Sequence, residues 1–186
     1  MRVSFRHLLP VLLLCSPVVA QAQIHVDGDY WMVHTKEAPR DNEVFVVNID
    51  PAHIKRKGGV ASFEVLRVFQ NQRKAILTSY GIETDCAKKR VRVSRADDVD
   101  GPMGGVNSVK VSSGWEAQPA PWLAASSDFF CLPDQRMGHG ILPIGKMPML
   151  RMVDVARAYL GSLQREQTRE TILKEIYDAI DRMPQK

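Results

Sequence analysis

Three cysteines punctuate the sequence, Cys15, Cys86 and Cys131, and the surroundings of the first decide what the other two can do. Cys15 lies inside an apolar run from Leu8 to Ala20 that follows Arg2 and Arg6 and ends at the small-residue site Ala20-Gln21-Ala22. Positive, then apolar, then small is the order of a secretory signal. A membrane anchor would need roughly 20 consecutive apolar residues, and Pro10 and Pro17 interrupt this shorter run. Lipid attachment at Cys15 would want a small residue just before it, where Leu14 stands. Residues 1–22 are therefore expected to leave as a signal peptide, placing the mature chain in the periplasm, on the cell surface or outside the cell, with no transmembrane helix. Cys15 leaves with the signal, and an exported chain with an even pair usually closes it. Reactive thiols or a metal pair are the competing uses, but neither cysteine has the C-x-x-C or Cys/His spacing of that chemistry. A Cys86–Cys131 disulfide is expected, enclosing about 46 residues.

About 164 residues then remain, enough for one domain with a real core and too few for two comfortable ones. The formal charge of +4 includes Arg2 and Arg6, so the mature chain is near +2 and its basicity is local. A nucleic-acid partner, whose footprint would be a dominant basic surface, is not expected.

Periodicity supplies the architecture. Glu43 to Ile49 is dense in residues that suit a pleated surface and too short for an independent helix, so it reads as a strand. After Asp50-Pro51 and the turn at Lys57-Gly58-Gly59, a second strand runs from Val60 to Phe69 with apolar residues on both faces. Ala75 to Thr84 reads as a third, with Ile76, Thr78, Tyr80 and Ile82 on one face. Next, Val91 and Val93 point one way and Lys88, Arg90 and Arg92 the other, which gives the sheet a basic outer face. Val109-Lys110-Val111 suggests a further strand after the loop Gly101 to Gly105, and Tyr30 to Val33 another before the rest. Strands joined by short turns must pair antiparallel, because parallel pairing needs long crossovers. Pro121 opens a helix to Cys131 with Trp122, Ala125 and Phe129 at helical spacing, and the stretch from Pro133 to Pro148 reads as Gly/Pro-rich loop. Beyond it Leu150, Val153, Leu160 and Leu163, then Ile172, Ile176 and Ile180, recur at helical intervals, and the polar run Gln164 to Glu170 suggests two helices. The expected fold is α+β: an antiparallel sheet of about five to six strands over 23–147, flanked by a short helix, with a helical extension over 148–186 and one disulfide.

The order of pieces from Ile49 to Cys131 resembles the surface-adhesin protein E family of Gram-negative bacteria. Ile49-Asp50, Ile54-Lys55-Arg56-Lys57-Gly58 before a strand, Asp85-Cys86 before the basic strand, Trp115, and Trp122-Leu123-Ala124-Ala125 closing on Phe130-Cys131 carry the likeness, over a little more than 80 residues. The resemblance implies an antiparallel sheet flanked by helices with the two cysteines bridged. It also implies an adhesin-like role, since the family's namesake is an outer-membrane lipoprotein that binds host extracellular-matrix and plasma proteins and can form dimers. This chain departs from it in lacking the lipid-attachment site and in its helical tail.

Lys88, Arg90 and Arg92, joined by Lys55, Arg56 and Lys57 at a neighbouring turn, form the candidate binding face for an acidic or glycosaminoglycan-like partner. No catalytic, metal or cofactor site is expected. His25, His34, His53 and His139 are scattered, Asp97-Asp98 with Asp100 lacks the ordered ligands of a calcium loop, and Ser126-Ser127 has no nucleophile elbow around it. Leu173, Tyr177 and Ile180 share a helical stripe expected to cap the sheet of the same chain, a second protomer being the other place for it to dock. The fold-level reading is a noncatalytic binding module, with a structural or assembly role in the cell envelope as the alternative.

Overall fold

A computed structural model describes residues 27–71, 75–100, 105–137 and 140–182. The signal peptide expected at 1–22, His25, His139 and most of the Gly101 to Gly105 loop lie outside the described residues. The strands are β1 (Asp27–Lys36), β2 (Glu43–Asn48), β3 (Lys55–Lys57), β4 (Val60–Phe69), β5 (Leu77–Asp85), β6 (Arg90–Val99), β7 (Val106–Ser108) and β8 (Leu142–Pro148). Two helices complete the fold, α1 (Pro121–Cys131) and α2 (Met149–Asp181). All strand pairs are antiparallel, in the order β7-β6-β5-β4-β2-β1-β8 with β3 also beside β4. The α+β sheet is the one expected, with eight strands in place of five or six.

The central strands are apolar on both faces because a helix covers each. On one face Tyr30, Met32, Val44, Val46, Leu66, Val68 and Leu77 meet Met149, Met152, Val153, Ala156 and Leu160 of α2. On the other, Val33, Phe45, Val47, Phe63, Val65, Ile82, Val91 and Val93 meet Leu123, Phe129 and Phe130 of α1. Alternation along β4 sends even positions to the α2 face and odd ones to the α1 face, which is why every other side chain joins the other core. Glu43 is carried inside with the strand at 1% exposure, and Arg67 meets its carboxylate with two bonds, at 2.9 and 2.5 Å. The buried side of α1 is turned slightly from the expected stripe: Leu123, Ser126, Phe129 and Phe130 go deepest, while Trp122 stacks on Phe45 at 4.8 Å and Ala125 stays at the flank. The disulfide Cys86–Cys131 is formed, tying the last residue of α1 to the turn after β5.

Several local expectations change. The strand expected at Val109-Lys110-Val111 falls instead on Val106–Ser108 opposite Asp97 to Val99. Val109 still donates to Ala96, but the chain then leaves the ladder and returns only where Glu116 bridges Val91. Ile76 packs with the α2 core, whereas Tyr80 and Ile82 pack with the α1 core. Lys55 to Lys57 is not a turn but β3, joined to β4 through Gly58 and Gly59 at φ of 58° and 81°. Those angles at both central positions are what a tight two-residue hairpin needs, and glycine supplies them without strain. The loop expected after Pro133 holds β8, and the two helices expected after Pro148 are one, α2. Among the described residues both end strands of the sheet are irregular: β7 has three residues, and β8 carries Pro143, Gly145 and Pro148.

The stripe expected to cap the sheet, Leu173, Tyr177 and Ile180, does not cap it; an earlier part of α2 does. Met149 to Leu160 does cap it, and then Gln164 and Gln167 make a polar clasp, bonding Arg40, Gln70 and Asn42. Leu173, Tyr177 and Ile180 lie beyond that clasp and are 42, 65 and 50% exposed, so among the described residues they cap nothing.

Tyr30 lies under α2 at 0% exposure, and its phenol is pushed up from 10.0 to about 12 by burial first and by Glu64, Asp27 and Asp50 after it. A raised folded pKa stabilises the protonated form, so this contribution is whole below pH 10.0 and is lost as pH climbs to about 12. Two units correspond to roughly 2–3 kcal/mol. Urea melts at rising alkaline pH should show this loss in the natural chain and a much flatter limb in Tyr30→Phe; equal limbs would reject the assignment.

Candidate functional site

The helix α2 covers only part of its face. Leu77 of β5 and Val99 of β6 still pack under it, but toward Asp85 and Arg90 the same face is uncovered, and register decides what stands there. Lys55 pairs with Ser62, Ser62 with Glu83 and Glu83 with Arg92. One step along, Lys57 pairs with Val60, Val60 with Asp85 and Asp85 with Arg90. Directly opposed residues share a face, and Glu83 and Asp85 alternate in phase with Leu77, which belongs to the α2 core. Two rows of the pattern cation, neutral, carboxylate, cation therefore run side by side across four strands. Lys57 and Arg90 are three strand spacings apart, about 14 Å.

The six residues expected to form the basic face are thus mostly, but not wholly, brought together. Lys55, Lys57, Arg90 and Arg92 share the open face, and Lys88 reaches it from the turn before β6. Arg56 pairs with Ala61 and so turns to the α1 face. The face is also less basic than its cations suggest. Arg92 bonds Glu83 at 2.6 and 2.8 Å, Arg90 bonds Asp85 at 3.3 Å, and Lys88 leans on Asp85 at 3.8 Å. Both guanidiniums lie over the Trp115 ring, their central carbons 4.5 and 4.7 Å from its centroid. Such stacking with a carboxylate at the edge holds an arginine in one place. Trp115 entered the sequence reading only through the resemblance, and Glu83 and Asp85 not as neutralising partners at all. Their alternation with Thr84 was the signal that could have placed them opposite the arginines.

Lys55, Arg56 and Lys57 differ, because each is exposed and none has a carboxylate in ion-pair reach among the described residues. Beside Lys55 a shallow cleft of about 330 Å³ is lined by His53, Ser62, Glu64, Gly81 and Arg95. Apart from Lys55 itself, its charged groups are spoken for: Glu64 accepts a 2.6 Å bond from Ser79, and Arg95 holds Asp97 at 2.9 Å. Among the described residues no three histidine, cysteine, aspartate or glutamate side chains are placed to hold a metal ion. Asp97 and Asp98 instead serve the ladder, accepting from Ser108 at 2.9 Å and Thr78 at 2.5 Å. Ser127 shares a 2.6 Å bond with Thr84 near the disulfide. Among the described residues no helix is long and apolar enough to cross a membrane.

What the open face offers is a rigid, half-compensated charge array with two free lysines at one side and an aromatic plate at the other. Compared with models of known families, with curated proteins and with solved structures, the chain finds no match in any of the three.

Proposed function

We propose that this protein is an exported, noncatalytic binding module of the kind that its resemblance to the surface-adhesin protein E family implies, and that it holds an acidic partner against the open half of its sheet. Extracellular-matrix or plasma proteins, or a glycosaminoglycan-like chain, are the partners this reading names. The observation that carries it is the pair Lys55 and Lys57, exposed two residues apart on β3 and unpaired among the described residues, on the same face as the Arg90–Arg92–Trp115 stack. Side chains two apart on a strand stand about 6.7 Å from each other, a spacing that lets one anionic segment meet both.

Charge reversal belongs at the lysines. Glutamate in place of Arg90 or Arg92 would stand beside Asp85 or Glu83 and disturb the sheet itself. On immobilised heparin, Lys55→Glu/Lys57→Glu is expected to lower affinity on the order of tenfold at physiological salt with an unchanged melting temperature. Retention equal to the natural chain would reject the proposal.

A second reading, a structural or assembly role in the envelope, is favoured by the exposed stripe of Leu173, Ile176, Tyr177 and Ile180 on α2. Protease accessibility on intact cells, set against release by osmotic shock, separates the two: a protease-shielded, shock-released protein belongs to the second.

A further inference from the structure

On the α1 face a cavity of about 360 Å³ opens between α1, the bulge of β1 and the turn Pro133–Gln135. Val33, Ala125, Phe129, Leu132 and Ile141 give it an apolar side that makes up about half of its wall. Small-molecule sites are usually cavities of a few hundred Å³ that join an apolar wall to a few placed polar groups, and this one has the size and both parts, with a larger polar share than most. Here the polar groups are His34, Gln135 and Arg136, with Asp128 as a fourth.

Arg136 is fixed in an unusual way. Its Nε–H donates to the Phe129 carbonyl at 2.9 Å, and its guanidinium lies 4.5 Å above the Phe129 ring. Both contacts hold the group without neutralising it. The two terminal nitrogens have no acceptor, and no carboxylate comes within ion-pair reach, among the described residues. A surface arginine free to move would spread its charge into water. This one is half-buried and pinned, so a planar anion would find its donors already ordered.

The surroundings favour an anion further. Arg56, turned to this face by its pairing with Ala61, adds a second unpaired positive charge. Burial first, and the Arg56 charge second, push the Arg136 pKa below its usual value, as an unneutralised site requires. Burial lowers the His34 pKa as well, which favours a neutral ring in the wall. Asp128 is exposed and also lines a cavity on the far flank of α1, so it stands on the crest of the helix between the two.

We propose that this cavity binds a small amphipathic organic acid, its apolar body against Phe129, Val33 and Ile141 and its carboxylate gripped by the terminal nitrogens of Arg136. The site is independent of the lysine face. Its polar end is a donor pair that a carboxylate satisfies and an alcohol of the same body cannot.

Calorimetric titration of the full mature chain with octanoate and 2-naphthoate, each against its neutral counterpart, 1-octanol and 2-naphthol, tests it. At least one acid is expected to bind at a single site about tenfold tighter than its alcohol. Arg136→Gln should remove that preference and leave alcohol binding, Arg136→Lys should restore part of it, and Ala125→Phe should block acid and alcohol alike. Lys55→Glu/Lys57→Glu should change none of these. In the natural chain, whose folding no substitution disturbs, octanoate should shift the resonances of Ala125, Phe129 and Arg136 first. Equal affinity for acid and alcohol, acid binding untouched by Arg136→Gln or Ala125→Phe, or shifts confined to other residues would each overturn the proposal.

Discussion

A chain ended at Pro148 is expected to appear only in the insoluble fraction, whereas one ended at Thr168 should melt within about 2 °C of full length. The difference follows from where α2 touches the sheet. Met149, Met152, Val153, Ala156 and Leu160 are 7% exposed or less. Burying the four larger ones contributes roughly 1.5–3 kcal/mol each. Their sum is comparable with the whole net stability of an ordinary domain, about 5–15 kcal/mol. Their loss would also bare Tyr30, Val44, Val46, Leu66 and Leu77, an apolar surface that solution would not tolerate. From Thr168 onward every described residue is exposed, so the shorter cut removes little that the core uses. Sedimentation of the lysate and a circular-dichroism melt check both halves. A soluble, cooperatively melting chain without α2 would show that the sheet does not need its cover.

Replacing both cysteines by alanine is expected to lower stability by about 4 kcal/mol, a drop in melting temperature of roughly 8–16 °C, because the crosslink closes a long loop in the unfolded chain. The two cysteines are 45 positions apart. The native fold itself should survive the change at room temperature. Phe63 stacks on Phe130 at 3.8 Å, and Leu123 and Phe129 are buried against the sheet, so α1 is held by packing as well as by the bond. Near-ultraviolet dichroism of the Cys86→Ala/Cys131→Ala chain should therefore resemble that of the natural one while its thermal transition moves down. An unmoved transition would mean that the crosslink does not constrain the unfolded ensemble.

The residues that spoke most clearly were those with one dominant influence. β4 was legible from Val60 to Phe69 because each of its side chains is chosen by a core, and α1 because Pro121 sets its start and aromatic residues its inner side. β8 was not legible, since Pro143, Gly145 and Pro148 are the residues that usually exclude a strand. They are tolerated because β8 is an edge with only β1 to satisfy. The polar run at Gln164 looked like a break between helices. Its residues are good helix formers whose polarity serves Arg40, Asn42 and Gln70, partners far away in sequence. The candidate face was half legible. The parity of Arg90 and Arg92 was right, but the pairing that sets Asp85 and Glu83 against them depends on register, and register is a property of two strands at once. The cavity at Arg136 had no sequence signature, because it exists only where β1, α1 and Ile141 converge.

The blunt margins of the sheet have a bearing on how the protein behaves when it is crowded. A foreign strand arriving at β8 meets gaps at Pro143 and Pro148, where no amide hydrogen is offered; at the far side β7 has three residues, and the stretch of β6 that it leaves uncovered is met by Glu116 at Val91 and by Val109 at Ala96. Among the described residues neither flank offers a long, regular template for stacking one molecule on the next, so association should proceed through side chains more readily than through backbone.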